Sequence, residues 1–269
     1  QRMPWQQLRE LQGVKNERAI DGNDGCGSRK RKGAYMIVSW ISAGVSSFIA
    51  GYLMRDSIDK YIYIDIEDQH DDSLRFVNDC EKILGKQIEI LKSPYKKVEN
   101  AIRAATVIKL PSGFAPCTAW LKKRVRKEWE SKQSEKLEYV WGFDLEEKSR
   151  AERLLDSMPN FTHHFPLIDK FLKKDDVHAM AKRIGIKRPL MYDLGYNNNN
   201  CIGCVKGGMG YWNKIRVDFP EIFESRAKLE REIGYSILKE CYLDELDPER
   251  GRDTKPILED CGIMCEINL

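Results

Sequence analysis

The chain has 269 residues, a formal net charge of +3 and a hydrophobic content of 42%. This length and composition suffice for one large α/β domain with an appendage, and they argue against disorder throughout. No stretch approaches the roughly 18 uncharged apolar residues that a membrane helix needs, and the start of the chain lacks the apolar segment of a secretory signal. We therefore expect a cytoplasmic protein that does not enter a membrane.

The first 34 residues differ from the rest in charge. Residues 1–34 hold eight Lys or Arg residues, four of them consecutive at 29–32, against four Asp or Glu. The remainder of the chain is therefore close to neutral. A short basic tract of this kind could touch nucleic acid, but it is more often a solvated tail. We expect residues 1–34 to form a disordered leader outside the functional domain.

Apolar segments of strand length alternate with segments of helical period through the middle of the chain. We predict strands over residues 34–40, 61–66, 87–91, 137–143 and 161–168. Such alternation is typical of the crossover units that build a parallel sheet. The sequence therefore predicts a three-layer, Rossmann-like α/β nucleotide-binding domain over residues 35–195, with a parallel sheet of about five strands.

A turn of small residues follows the first predicted strand and leads into a helix. The turn consists of Ser42, Ala43, Gly44, Val45, Ser46 and Ser47. Its backbone N–H groups and hydroxyls would gather at a helix N-terminus, which favours anions. The turn also lies at the carboxyl end of a parallel strand, where open α/β sheets bind ligands. We expect it to hold the anionic end of a ligand.

Two predicted helices each have an apolar face that we expect to pack in the core. In the helix after the second strand, Cys80 lies within an apolar stripe of helical period, so we expect it in the core rather than at a site. A helix over residues 118–132 is expected to present Leu121, Val125 and Trp129 to the sheet. Its intervening Lys and Arg side chains are expected to be mostly solvated.

The pattern changes near Gly195. Four asparagines at 197–200 precede Cys201-Ile-Gly-Cys204, and a run of this composition predicts a sharply turning loop. A last helix is expected over residues 220–238, with Pro220 at its start. Residues 196–269 are predicted to form a cysteine-rich C-terminal extension.

The extension contains two closely spaced cysteine pairs, Cys201 with Cys204 and Cys261 with Cys265. In a reducing compartment such pairs are typical of metal ligands or redox partners rather than disulfide staples. One arrangement joins all four thiolates around zinc or an iron–sulfur cluster. Some of these cysteines could instead be reduced structural thiols.

Four segments together carry a resemblance to a known family. The turn at 42–47 resembles the PP-loop, Ser-Gly-Gly-x-Asp-Ser, of the adenine nucleotide α-hydrolase superfamily. Cys117-Thr118-x4-Lys123 is similar to the Cys-x5-Lys segment of sulfonucleotide reductases, and Gly142-Phe143-x3-Glu147-x2-Arg150 is similar to their Gly-x-Arg-x-x-Glu-x-x-Arg element. Residues 260–264, Asp-Cys-Gly-Ile-Met, are similar to their C-terminal Glu-Cys-Gly-Ile-His motif. Over residues 36–269 the chain resembles the phosphoadenosine phosphosulfate (PAPS) reductase-like proteins of phages and prophages.

The resemblance implies a set of site residues. An adenine nucleotide, PAPS or ATP, would place its anionic end on the turn and its adenine near Asp65 and Ile66, with Gly142 and Glu147 also at the nucleotide. Lys123 and Arg150 would neutralise phosphate or sulfate charge. Cys261 would be the nucleophile that attacks the sulfur of the nucleotide, and a thioredoxin-like dithiol would clear the resulting thiosulfonate. In this arrangement Cys117, Cys201, Cys204 and Cys265 would be the metal or cluster ligands.

Several residues depart from the family pattern. Ser46 replaces the loop aspartate and Ala43 replaces a glycine, and a hydroxyl cannot offer Mg²⁺ the carboxylate that it prefers. Cleavage of ATP is therefore less favoured than binding of a nucleotide that carries sulfate or a simple phosphate. Asp144 replaces the motif arginine, and Met264 replaces the motif histidine.

The resemblance implies a PAPS reductase-like enzyme, which could assemble as a homo-oligomer. Two alternatives stay open, because one scaffold in this superfamily carries several chemistries. The first is an ATP-dependent adenylating or thiolating enzyme that modifies a nucleic-acid base or another acceptor. The second is a nucleotide-binding protein with a structural zinc and no turnover.

Overall fold

The computed structural model describes residues 35–110 and 115–251. The expectations for residues 1–34, for Cys261, Cys265 and Met264, and for the rest of the C-terminal tail lie outside these residues.

Five parallel strands form one sheet. They are β1 (Tyr35–Ile41), β2 (Lys60–Asp65), β3 (Ile88–Lys92), β4 (Lys136–Val140) and β5 (Thr162–His164). Their order in the sheet is β3-β2-β1-β4-β5, and every neighbouring pair is parallel. The predicted α/β fold with about five parallel strands is confirmed. Because β1 is central, the turn that follows it lies at the middle of the carboxyl edge of the sheet.

Helices flank the sheet and continue beyond it. They are α1 (Val45–Leu53), α2 (Asp72–Leu84), α3 (Val98–Ala105), α4 (Arg124–Glu130), α5 (Lys148–Ser157), α6 (Pro166–Asp169), α7 (Lys174–Ile184), α8 (Leu190–Asp193), α9 (Met209–Asp218) and α10 (Pro220–Ile233). A π-helical turn at Thr118–Lys123 runs directly into α4. None of the helices in the described ranges combines the length and apolar character needed to cross a membrane.

The two faces of β1 belong to two hydrophobic cores. Val38 and Trp40 point into one core, which also contains Trp129 of α4 and Trp212 of α9. Alternate residues of β1 point into the other core, beneath α1 and α2, where Cys80 is fully buried as expected. Burial on both faces is typical of a parallel sheet covered by helices. Because residues 201–246 contribute to the first core, the cysteine-containing loop is packed onto the sheet.

Three predicted elements end earlier in the structure than expected, and one of them is the fourth strand, which ends at Val140 rather than at residue 143. The fifth strand ends at His164, because Pro166 lacks a backbone N–H and begins α6 instead. The last helix ends at Ile233, where Gly234 takes the left-handed conformation that terminates helices. Helix α9 was not predicted, because it follows the loop with no distinct apolar period.

The expected solvation of the basic side chains over 118–132 is wrong at two positions. Lys122 is 9% exposed and Arg126 is 1% exposed, although Leu121, Val125 and Trp129 face the core as predicted. Arg126 is covered by Met158, whose sulfur lies 3.0 Å from Nη1, and it pairs with Glu130. Side chains from other elements, such as Met158, therefore bury a face of α4 that the sequence periodicity assigns to solvent.

Candidate functional site

The turn at Ser42–Ser47 is tied together by the hydroxyl of Ser47. Ser47 Oγ accepts a hydrogen bond from the Ser42 N–H (3.0 Å) and donates one to the Gly44 carbonyl (2.9 Å). Ala43 has φ of 60°, in the left-handed region that a residue with a Cβ seldom adopts. Backbone strain of this kind persists where surrounding structure holds it, and it is common at ligand sites.

Some of the backbone amides of this turn donate hydrogen bonds within the protein, and others do not. The Val45 N–H donates to the hydroxyl of Tyr192 (3.4 Å), and the Phe48 N–H donates to the Gly44 carbonyl. Within residues 35–110 and 115–251, no acceptor pairs with the amides of Ser46 and Ser47. These two amides are the donors that α1 can offer to an anion.

Gly142 lets the end of β4 approach the same helix N-terminus. A Cβ at Gly142 would lie 2.6 Å from both the backbone nitrogen and the Cα of Ser47. Real Cβ atoms do not approach backbone so closely, so any larger residue would displace the turn or the strand. The sequence assigned Gly142 to the nucleotide site, and the structure places it in contact with the predicted anion turn.

The segment after β4 holds a cluster of charged residues. Asp144 caps a short 3₁₀ turn by accepting from the Glu146 N–H (3.0 Å), and Glu147 accepts from the Asp144 N–H (3.4 Å). Arg150 pairs with Glu147, and its guanidinium lies 4.8 Å from the ring centre of Phe143. Arg150 is 4% exposed. The side chain predicted to neutralise a ligand's charge is thus already paired with a carboxylate.

Burial raises the pKa of the Asp144 carboxyl above its ordinary value, against the opposing effects of the Glu146 N–H and the Lys174 ammonium. Lys174, at the start of α7, also donates to the side chain of Asn198. One lysine therefore lies near both the segment after β4 and the asparagine-rich loop. Sequence reasoning missed Lys174, because a lysine in a helix's first turn has no local signal that separates it from a solvated one.

The asparagine-rich loop packs directly against the turn. Asn199 Nδ2 donates to the Ala43 carbonyl (2.8 Å) and to Ser73 Oγ (3.0 Å) in the first turn of α2. Asn199 is 3% exposed. The loop therefore spans the ends of β1 and β2. The sequence identified this run as a loop but assigned no role to its asparagines.

Cys201 and Cys204 lie immediately beyond these asparagines and are 7% and 6% exposed. Gly203, with φ of 71°, turns the chain between them. The hydroxyl of Tyr211 donates to the Cys201 carbonyl (3.3 Å) and accepts from the Cys204 N–H (2.9 Å). The predicted sharp turn at this pair is confirmed, and one tyrosine holds it closed.

A buried ion cluster anchors the cysteine loop to the end of β2. We call it the Arg226 cluster; it comprises Arg226, Asp68 and Glu99. Arg226 of α10 pairs with both carboxylates and donates to the Gly203 carbonyl (3.4 Å). The Ile202 N–H donates to the Asp68 carbonyl (2.7 Å). The cysteine loop therefore lies along the carboxyl edge of β2, one strand from the turn.

The other predicted site residues lie along β2 and beyond β3. Ile66 is buried, and Asp65 at the end of β2 pairs with Lys92 of β3 (3.2 Å). Cys117 and Lys123 are half-buried and bracket the π-helical turn, which packs beside β3 through a hydrogen bond from Ser93 Oγ to the Trp120 carbonyl. Single π-helical turns occur frequently at functional sites.

A metal centre would need more ligands than this loop supplies. No group of three or more His, Cys, Asp or Glu side chains arranged to hold a metal ion exists in the part of the chain that the structure describes. Cys201 and Cys204 supply two buried thiols, and the predicted partners Cys261 and Cys265 lie outside the described residues.

Comparison with family models and with curated proteins gives no relative from which to transfer a function. No family model matches the chain, and no similar protein was found among curated proteins.

Proposed function

We propose that the protein acts on an adenylyl sulfonucleotide such as PAPS, by reduction or sulfur transfer through a C-terminal cysteine. The observation that carries this proposal is the contact between Asn199 and the Ala43 carbonyl. It brings the loop that bears Cys201 and Cys204 against the small-residue turn at the end of β1. The nearness of two thiols to the small-residue turn, at the edge where open parallel sheets bind ligands, supports the proposal.

In this proposal the turn binds the anionic end of the nucleotide. The amides of Ser46 and Ser47 donate to phosphate or sulfate oxygens, and Lys123 supplies positive charge from the π-helical turn. The adenosine lies along the ends of β1 and β2, toward Ile66. The superfamily that this arrangement supports is that of the PP-loop nucleotide-binding proteins, with residues 196–269 as its cysteine-rich extension.

The proposed reaction begins with the thiolate of Cys261, a residue outside the described part of the chain. Its sulfur attacks the sulfonate sulfur of PAPS, and the bond between that sulfur and the phosphate oxygen breaks. The electron pair leaves with adenosine 3′,5′-bisphosphate, and the enzyme retains a cysteine thiosulfonate. A thioredoxin-like dithiol then releases sulfite, restores the cysteine thiol and is itself oxidised to a disulfide.

Cys201 and Cys204 would contribute two thiolates to a zinc ion or an iron–sulfur cluster, with Cys117 and Cys265 as the other ligands, so that Cys261 stays free as the nucleophile. Bound metal would fix the C-terminal tail against the loop. Tyr211 and Arg226 also contact the loop through hydrogen bonds to its backbone.

The test is a sulfite assay on protein purified without oxygen. Iron, zinc and acid-labile sulfide are measured first, and the protein is then incubated with PAPS and reduced thioredoxin. We expect sulfite in the absence of added ATP, and loss of sulfite with retention of metal in Cys261→Ala. Cys241→Ala serves as the matched control, because Cys241 is half-buried and has no assigned role. Release of AMP or pyrophosphate from ATP without sulfite would show the adenylating alternative.

One observation favours a second candidate, a nucleotide-binding protein without turnover. Arg150 is neutralised by Glu147 rather than presented to a ligand. This candidate predicts zinc-loaded protein that binds adenine nucleotides and forms no sulfite. It also predicts that Cys261→Ala loses metal and stability together.

A further inference from the structure

The side-chain amide of Asn199 has a defined orientation. The atom that faces the Ala43 carbonyl must be a donor, because a carbonyl oxygen can only accept. That atom is therefore Nδ2, which lies 2.8 Å from the carbonyl and 3.0 Å from Ser73 Oγ. Both amide donors have acceptors in this orientation, and Oδ1 is directed elsewhere.

Oδ1 of Asn199 is buried and has no hydrogen-bond partner among the described residues. The residue is 3% exposed, so solvent does not satisfy the oxygen. An acceptor left in this state costs about 1–3 kcal/mol. Buried orphan acceptors are rare in folded proteins, and a bound ligand that donates to them is one explanation.

The contact between Asn199 and the turn indicates which part of a ligand could reach this oxygen. Asn199 contacts the turn at Ala43, three residues before Ser46 and four before Ser47, whose amides are unpaired among the described residues. A nucleotide whose 5′-phosphate or phosphosulfate rests on those amides has its ribose directly attached to that group. The ribose hydroxyls are therefore the nearest donors, whereas the amine of adenine lies at the far end of the base.

We propose that Asn199 is a specificity-determining residue whose Oδ1 accepts a hydrogen bond from a ribose hydroxyl of the bound nucleotide. This inference rests on the proposed nucleotide site and adds the group that is recognised. It also gives the asparagine-rich loop a second role, because Asn199 both packs the cysteine loop against the turn and binds the ligand.

The experiment measures binding of AMP, 2′-deoxy-AMP, 3′-deoxy-AMP and IMP by calorimetry to the full chain. In the wild type we expect 2′-deoxy-AMP to bind about tenfold more weakly than AMP, because the 3′ oxygen of PAPS carries a phosphate and only the 2′-hydroxyl can donate. Asn199→Ala should bind AMP and that deoxy form equally.

Asn197→Ala is the matched control, because Asn197 lies in the same loop and is only partly buried. It should discriminate as the wild type does. The readout is a ratio within each protein, so a general loss of stability does not imitate the expected result. Equal ratios in wild type and Asn199→Ala would overturn this inference while the nucleotide site stands.

Two other outcomes are also decisive. A loss of affinity for IMP rather than for the deoxy forms, abolished in Asn199→Ala, would assign the contact to the base and overturn the ribose assignment. Failure of the wild type to bind AMP at all would overturn the proposed nucleotide site together with this inference.

Discussion

The Arg226 cluster and the Ser42–Ser47 turn lie along the same carboxyl edge of the sheet, but they differ in how their polar groups are satisfied. Arg226 is 1% exposed and pairs with two carboxylates and one carbonyl. At the turn, the amides of Ser46 and Ser47 and the oxygen of Asn199 have no partners among the described residues. The polar atoms of the Arg226 cluster are paired within the protein, whereas these three atoms of the turn and Asn199 are not.

The difference indicates separate roles for neighbouring regions. A buried charge is tolerated only when its partners are supplied by the protein itself, so the Arg226 cluster is part of the folded framework. Donors and an acceptor left unpaired beside a strained alanine are instead typical of a binding site. We therefore expect changes at Arg226 to affect stability first, and changes at the turn to affect ligand binding first.

The strongest test of this comparison is Arg226→Met. It removes the cation and leaves the carboxylates of Asp68 and Glu99 without their buried partner. We expect the free energy of unfolding to fall by about 3–5 kcal/mol, because breaking one side of a buried ion pair leaves uncompensated charge. Urea unfolding followed by circular dichroism measures the change.

Arg103→Ala is the control for Arg226→Met. Arg103 pairs with the same Glu99 and with Glu232, but its side chain is 43% exposed. Exposed pairs contribute about 0–1 kcal/mol, so this variant should unfold near the wild-type midpoint. Equal losses of unfolding free energy in Arg226→Met and Arg103→Ala would show that burial does not increase the contribution of the Arg226 cluster to stability.

Gly142→Ala tests the contact between β4 and the turn. Its Cβ would lie 2.6 Å from the backbone nitrogen of Ser47, so the turn or the strand has to move. We expect the free energy of unfolding to fall by about 2–3 kcal/mol and AMP binding to weaken. Gly208→Ala is the control, because a Cβ there meets nothing within 4 Å. Unchanged binding in Gly142→Ala would count against the turn as the anion site.

Tyr211→Phe tests the closure of the cysteine loop. It removes the hydroxyl that bridges the Cys201 carbonyl and the Cys204 N–H, and the buried N–H loses its acceptor. We expect a loss of about 1–2 kcal/mol and faster reaction of Cys201 and Cys204 with a thiol reagent. Tyr235→Phe, at a side chain that is 59% exposed, should change neither quantity. Slow thiol reaction in Tyr211→Phe would show that other contacts close the loop.

The order of elements could be predicted from the sequence, and the contacts between distant elements could not. The alternation of apolar runs predicted five parallel strands, and the small residues at 42–47 predicted a turn at the end of β1. The contact from Asn199 to Ala43, in contrast, joins residues 156 positions apart. No local sequence pattern predicts this contact, because an asparagine-rich loop has the same sequence whether its side chains are buried or exposed.

The burial and pairing of charged residues could not be predicted from the sequence either. Arg226 and Arg126 occupy helix positions that the sequence predicts to be exposed to solvent. Both side chains are buried, because elements distant in the sequence pack over them. Arg150 was predicted to meet a ligand, and the structure shows that Glu147 already neutralises it. Sequence identifies which groups carry charge, whereas their pairing is decided by tertiary structure.

Asp144→Asn is expected to have the smallest effect, and it depends on pH. The folded state raises the pKa of this carboxyl through burial, so the folded protein binds its proton more tightly than the unfolded chain does. The wild type should therefore gain stability as the pH falls from neutral toward the ordinary carboxyl range, and the variant should lack that gain. Asparagine keeps an oxygen that can accept from the Glu146 N–H.

Because the Asp144 carboxylate lies two residues beyond Gly142, its removal should strengthen AMP binding about two- to fivefold at pH 7. The difference should shrink as the wild-type carboxyl becomes protonated. Calorimetric titrations at pH 5 and pH 7 measure this effect, and an unchanged affinity at both values would separate Asp144 from the anion site.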